Sequence, residues 1–598
     1  MPSISFINRD KVVMELIKER CKLADRQARI DQKNEFIIRR DARRKGSKHA
    51  NAIYQMFPPR REWCSIGKRR QRLDSVKRNE LKLKCTYWKT KRRKSKAEWF
   101  ARLCIYADSI VEMVSTKSAC LDPPKVSVIE KKKDYKEKTV ICRPICSFPL
   151  ETKIVFSIIN RYLTQEFDSF FYDCSFAFRA NVGKYSLQHL NAVDAIKQYR
   201  IRHSSMSLYV AECDMKKFYD TISHNIIKTR FSILLHRCIK EGRISVKEAK
   251  VIKKWVFMYV DCFNFREHVF IHNKKKADDS FWERVQTYKI WPRRIEWVDE
   301  LGIIKKNAMK DVAASDFAKY KKDQAERRKN RHRKVGIPQG GPLSGLIANI
   351  VMHSVDKAVK NAIGNDDILY CRFCDDMVLV GTDNERISMV FQSYQQAVRK
   401  SMLYAHPNKM CVKKAKDFWD GKTRGPYEWN EKGEETYPWI TFVGFDINWK
   451  GNLRVRKASL DRQIKKQYDT AYELLQPYRR GEMPRFCANT IRASLESRLI
   501  CMSVGRVKMW NYKNFGNNCS WMSAFPILDK NPWSEAQMKN LDKHRYAVIK
   551  KASEELKKYD CPKKKKKDDN SVDGENSRFI FRGSPYSYYG QCFIYKKD

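Results

Sequence analysis

The sequence predicts an α+β fold spread over several domains, and three observations carry that expectation. A chain of 598 residues exceeds what one apolar core supports, so two to four domains are expected. Short β-forming runs recur at Val140–Cys146, Ser207–Asp214, Ile368–Gly381, Trp439–Ile447 and Asn452–Arg456. Helical patterns lie among them: Ile154, Val155, Ile158, Ile159, Tyr162 and Leu163 share one face, and Ser459 to about Lys558 reads as helical.

The most informative run is Ile368–Gly381, where two apolar stretches flank Asp375 and Asp376. That pattern predicts two short strands joined by a tight turn carrying both acids. Adjacent acids repel each other unless a divalent cation sits between them and a third carboxylate. The bland alternative is a solvated Asp-Asp turn. Asp214, at the end of its own strand, supplies the third acid, and Tyr219 follows five residues on. Read structurally, the same two residues would be a helix cap and a core aromatic.

Composition narrows the partners. A 42% hydrophobic and 12% aromatic chain packs as a globule, whereas 122 Lys and Arg against 69 Asp and Glu leave a net charge of +53. Self-repulsion on that scale calls for a polyanion, and nucleic acid is the expected one. No apolar run approaches the ~18 residues that span a bilayer, and the N-terminus lacks a signal-like apolar core, so no membrane partner and a cytoplasmic location are expected. Of 19 cysteines, only Cys371 and Cys374 form a Cys-x-x-Cys pair, on the strand entering the acidic turn, where packed thiols are favoured over zinc.

The remaining stretches add binding candidates. Tyr87-Trp88-Lys89-Thr90-Lys91-Arg92-Arg93-Lys94, with Trp99-Phe100, interleaves bases with rings and suits RNA contact; a solvated basic face is the alternative. Lys138, Arg143 and Arg179 are candidates to grip a triphosphate. Val335-Gly336-Ile337-Pro338-Gln339-Gly340-Gly341 opens a helix through a backbone-permissive turn, with Gln339 available to a base or sugar. About residues 264–334 read as a basic insertion, Lys563–Lys567 as a linker, and Phe579–Tyr595 as an aromatic tail that docks back.

Five blocks therefore stand in one order: Arg143-Pro144 through Phe178-Arg179, Asp214 through Tyr219, Gly336 through Asn349, Phe373-Cys374-Asp375-Asp376, and Phe442-Val443-Gly444-Phe445. The ordered set, over about residues 126 to 456, resembles the reverse transcriptases of bacteria, the branch that includes group II intron proteins and retrons. The resemblance implies a right-hand polymerase with an antiparallel palm sheet. Residues 1–125 would be a basic helical extension contacting RNA, 126–456 the fingers and palm with the insertion, 457–560 a helical thumb, and 561–598 linker and tail.

It also implies that Asp214, Asp375 and Asp376 are catalytic and ligate two Mg²⁺, with Mn²⁺ as the alternative ion, in RNA-directed DNA synthesis from dNTPs. Tyr219 would reject a ribose 2′-hydroxyl, Gln339 and Gly340 would lie near the templating pair, and Lys409 near the triphosphate. Phe442, Gly444 and Phe445 would form the primer grip. Phe373 and Cys374 stand where Tyr and Ala are more usual, and Gly341 and Gly345 where Ser and Pro are common, which loosens that turn. The basic flanks and tail resemble the defence-associated "unknown group" reverse transcriptases, which implies a partner non-coding RNA and an antiphage role. A retron or intron-type enzyme, untemplated or protein-primed synthesis from a tail hydroxyl such as Tyr586, Tyr588 or Tyr589, and an idle RNA-binding maturase are the rivals. A homo-oligomer or partner protein is left open.

Overall fold

The computed structural model describes residues 5–37, 52–67, 75–116, 120–134, 137–180, 189–274, 279–282, 292–296, 333–409, 418, 421–431, 436–481, 487–504, 527–528, 531–559 and 586–587. The chain divides into two compact units. One comprises Met1–Val12, Ala107–Tyr199 and His203–Tyr437; the other comprises Val13–Tyr106, Arg200–Arg202 and Pro438–Asp598. Both mix helices with sheet, and the fold is α+β as expected.

In the first unit, β1 (Lys125–Asp134) and β2 (Thr139–Ser147) form an antiparallel hairpin. Next come β3 (Leu208–Cys213), β4 (Arg293–Ile295), β5 (Leu369–Phe373), β6 (Asp376–Gly381), β7 (Asn408–Lys409) and β8 (Thr423–Trp429). Five of these build one sheet in the order β5-β6-β3-β8-β7. It is antiparallel except at its edge, where the two-residue β7 runs parallel to β8. β6 is buried from Met377 to Gly381, which explains its unbroken apolar run. The helix Asn384–Lys400 packs against β3, β6 and β8. Its buried Ile387, Val390, Phe391, Tyr394 and Val398 recur at helical spacing, and the Asp383 side chain caps its first turn.

Two expectations needed correction here. β8 was unforeseen, because Gly425-Pro426 in its middle reads as a turn signal. The strand needs that glycine, since a Cβ there would meet the Val210 carbonyl oxygen at 2.5 Å, beside a register shift in the pairing with β3. The stretch read as an insertion from residue 264 is also partly core. Phe265, Val269, Phe281, Trp282 and Ile295 pack with Val128, Val140 and Cys142, and β4 pairs parallel with β2. Residues 297–332 lie outside the described residues.

The second unit carries β9 (Trp439–Phe442), β10 (Phe445–Asn448) and β11 (Leu453–Val455), antiparallel in the order β11-β10-β9. Helices Lys457–Arg479, Ala488–Val504 and Pro532–Lys557 bury Leu474, Leu475, Ile491, Leu495, Leu499, Val548 and Leu556 together. Tyr586 docks on this bundle: its hydroxyl accepts from Gln463 Nε2 at 2.6 Å and its backbone N–H donates to Asp542. Tyr588, Tyr589 and Lys563–Lys567 lie outside the described residues. In the N-terminal part, Tyr87 is buried, whereas Trp88 is 39% exposed with Lys91 Nζ 5.1 Å from its ring centroid. Among the described residues no helix is long and apolar enough to cross a membrane, and the described cysteines carry free thiols.

Candidate active site

Strand register brings the acids together. Cys213 of β3 faces Met377 of β6, and Phe373 faces Asp376 across the β5–β6 turn. Asp214 therefore leaves β3 one step beyond the last registered pair, on the side where β6 begins with Asp376. The turn itself is Cys374 and Asp375, and Cys374 takes a φ of +62°, an unusual conformation for a side chain with a Cβ. Cys374 is thus a turn residue and not, as expected, part of the strand. Cys371 is a packed strand thiol, pushed up to about 12 by burial.

A buried polar network fixes this turn from behind. The Arg372 guanidinium, with no exposed surface, donates from Nε and Nη2 to the Asp356 carboxylate at 2.7 Å each. It also donates to Ser175 Oγ at 2.8 Å and to the Cys374 carbonyl at 2.9 Å. Tyr370 adds its hydroxyl to Asp356 at 2.8 Å. Outside β5, the Arg372 backbone N–H donates to the Cys174 carbonyl at 2.7 Å, so the Cys174–Phe176 segment braces the strand. The sequence hinted at none of this, since Arg372 alternates in an apolar strand.

Electrostatics mark the acids as crowded. Asp375 is half-buried, and burial, followed by the charge of Asp214, raises its carboxyl above the ordinary range. Lys422 Nζ stands 2.9 Å from Asp214 Oδ2, and His406 Nε2 lies 3.9 Å from the same oxygen. Burial, then Lys422, pushes His406 down to about 4. Among the described residues no group of three His, Cys, Asp or Glu forms a ready metal cage. The donor set still fits Mg²⁺, which is commonly held by one or two carboxylates together with substrate phosphates.

Other predicted residues gather nearby. Tyr219 lies in a short helix, Phe218–Thr221, and its hydroxyl is 3.1 Å from Cys374 Sγ, directly behind the acidic turn. The Tyr219 carbonyl accepts from Ile337 N–H at 2.9 Å, tying the two motifs. Gln339 Nε2 donates to the buried Asp220 at 2.6 Å, and the Gln339 carbonyl accepts from Cys146 N–H at 2.8 Å. Gly340 has a φ of +87°. Gly341 and Gly345 are not slack, contrary to expectation: added Cβ atoms would lie 2.1 Å from Tyr259 Oη and 2.6 Å from Phe178 Cδ1. Those rings fill the space that larger residues would need.

The cations divide differently from the expected set. Arg143 is exposed on β2, and its charge falls on Lys131 together with those of Lys217 and Lys422. Lys131, Lys217 and Lys422 carried no signal in the sequence. Lys138 is exposed at the β1–β2 turn with a φ of +45°. Arg179 is instead committed to the chain's own oxygens, donating to Asp168 Oδ1 at 2.8 Å and to the Tyr172 and Ser175 carbonyls. Lys409 ends β7, and its side chain lies outside the described residues. Phe442 and Phe445 are buried in the second unit's sheet; the Val443-Gly444 turn between them has φ values of +45° and +91°.

Residues 291–446 match the family model for reverse transcriptase (RNA-dependent DNA polymerase), a span holding Gln339, Asp375 and Asp376. The chain carries a reverse transcriptase domain. Asp214 and Tyr219 fall before the matched span. No curated protein matches the chain. Among solved structures it is similar to apo telomerase from Candida tropicalis truncated from its C-terminal domain, at 15% identity, covering 56% of this chain and 55% of that one, with a TM-score of 0.29. It is also similar to telomerase from Candida albicans in complex with a fragment of telomeric RNA, at 11% identity, 80% and 71% coverage and a TM-score of 0.30. The full apo telomerase from Candida tropicalis gives 13% identity, 73% and 64% coverage and a TM-score of 0.32. The chain thus spans about half the length of the first of these structures.

Proposed function

We propose that this protein is an RNA-directed DNA polymerase that extends a 3′-hydroxyl with deoxynucleotides while holding a structured RNA. The observation that carries the reading is the convergence of Asp214 and Asp375 at adjacent strand ends, beside a rim of Lys131, Arg143, Lys217 and Lys422. Asp214 and Asp375, with Asp376 beside them, would hold two divalent cations, Mg²⁺ or Mn²⁺, which when bound activate the hydroxyl and stabilise leaving pyrophosphate. The rim cations offset the charge of the incoming triphosphate and align it for in-line attack. Lys138, exposed at the tip of the β1–β2 hairpin that carries Arg143, would add a further cation for the triphosphate.

Tyr219, its hydroxyl 3.1 Å from Cys374 Sγ beside the acidic turn, would pack its ring against the sugar and exclude a 2′-hydroxyl. Gln339, oriented by Asp220, and Gly340 line the template side. The Val443-Gly444 turn offers backbone to a primer, with Phe442 and Phe445 anchoring it from within the sheet. The net charge of +53 and the exposed Trp88 with its neighbouring bases support the RNA partner. An antiphage role with a non-coding RNA is the biological setting we infer from this architecture. The buried Tyr586 hydroxyl disfavours that residue as a protein primer.

Sequencing the nucleic acids that co-purify with wild type and with Asp375→Ala tests this reading. One RNA is expected with both proteins, and DNA complementary to it with wild type alone. Adding dNTPs and Mg²⁺ should extend that DNA, and ribonucleotides should not replace them. DNA unrelated to any bound RNA would favour untemplated synthesis. RNA with both proteins and DNA with neither, even after dNTPs are supplied, would establish an RNA-binding protein instead.

A further inference from the structure

A partly buried carboxylate stands among the rim cations. Glu296 follows β4, and its Oε2 lies 2.6 Å from Lys217 Nζ and 3.9 Å from Lys131 Nζ, with one third of the side chain exposed. Its charge also falls on His406, the neighbour of Asp214. The residue is not on a dangling loop: Ile295 beside it is 3% exposed in the core with Cys142, and β4 is registered against β2 from Val140 to Cys142. A fixed carboxylate therefore faces the ammonium groups that an incoming triphosphate would need.

Lysine ammonium groups are compact, hydrated point charges with three donors. One donor of Lys217 engaged by Glu296 is one that a phosphate oxygen must win back, and the carboxylate's charge repels the phosphate directly. We propose, on the polymerase reading above, that Glu296 is an internal anion which the incoming nucleotide displaces from the phosphate-binding rim, so that it sets the nucleotide KM. Glu296 belongs to the stretch between the Tyr219 and Gln339 motifs, so that stretch contributes directly to substrate affinity. The same carboxylate disfavours occupation of the rim by single weak anions, because only a polyanion recovers from several cations what it loses to one.

The test uses the full chain as wild type, Glu296→Gln, and the double variant Lys217→Gln/Glu296→Gln. Calorimetric binding of inorganic tripolyphosphate is measured without divalent cations, alongside steady-state dNTP incorporation. Glu296→Gln should bind tripolyphosphate about 3- to 10-fold more tightly, in keeping with loss of one partly exposed charge pair. Its dNTP KM should fall by a similar factor with kcat within about twofold. The double variant should lose the gain, which separates a local effect from the general charge of the chain. Equal or weaker binding in Glu296→Gln, or a gain that survives in the double variant, would overturn the inference. Tighter tripolyphosphate binding in a protein that polymerises nothing would leave the rim assignment standing and remove the polymerase reading.

Discussion

Asp220 is 4% exposed, and burial pushes its carboxyl up to about 6 despite donation from Gln339 and the charges of Lys217, Arg143 and Lys131. An acid whose folded value exceeds its ordinary 3.8 holds its proton more tightly in the folded chain, so its contribution to stability falls as pH rises through that window. Asp220→Asn removes this penalty while keeping an oxygen to accept from Gln339. The variant should match wild type most closely near pH 4 and gain up to about 3 kcal/mol on it by pH 7, read as urea midpoints. Parallel curves across pH would show that Asp220 is not sealed. At this scale the sequence was partly legible. Adjacent acids between apolar runs are rare enough to notice, and so was a lone acid at a strand end. Lys131, Lys217 and Lys422 were hidden among 122 basic residues, because only folding distinguishes a lysine beside Asp214 from one in solvent. Arg179 misled for the converse reason: its partner Asp168 lies eleven residues earlier, and a satisfied arginine looks like any other in sequence.

The β5–β6 hairpin shows how an element can be legible while its support is not. Two short apolar strands and a two-residue turn follow from the residues themselves, but the turn's rigidity comes from Arg372 and Asp356, both without exposed surface. Removing one member of a buried pair strands the other, at a cost of about 3–5 kcal/mol. Arg372→Ala and Asp356→Asn should each lower stability on that scale, whereas Arg372→Met with Asp356→Leu should recover much of it. DNA synthesis should stay low in the recovered double variant, because the Cys374 carbonyl no longer has the donor that fixes the turn. Urea titration and an incorporation assay on the same preparations distinguish the two effects. Full activity in the stable double variant would reduce the network to a core feature. In the same sheet, β7 and β8 were illegible for local reasons: two residues carry no periodicity, and Gly425-Pro426 argues against a strand until its close approach to Val210 is seen.

On the scale of the whole chain, charge was the clearest signal and its distribution the least clear. The grouping of Val13–Tyr106 with Pro438–Asp598 has no counterpart in sequence, since segments far apart along the chain carry no mark of their proximity. A net charge of +53 is useful only if phosphates absorb it, and that requirement is measurable. With about 6–10 neutralised phosphates, affinity for the co-purifying RNA should fall roughly 10³–10⁵-fold between 50 and 200 mM salt. The helix Ser75–Arg92 then offers two separable contributions. Trp88→Ala removes a stacking surface and should weaken binding by about 1–3 kcal/mol with the salt slope unchanged. Lys89→Gln with Lys91→Gln removes counterion release and should flatten the slope by roughly 0.7 for each single-strand phosphate that the helix ceases to neutralise. Filter binding at several salt concentrations measures both. Unchanged slopes in the lysine variant together with full affinity in Trp88→Ala would move the RNA off this helix, and the exposed ring with Lys91 above it would then be a solvated face.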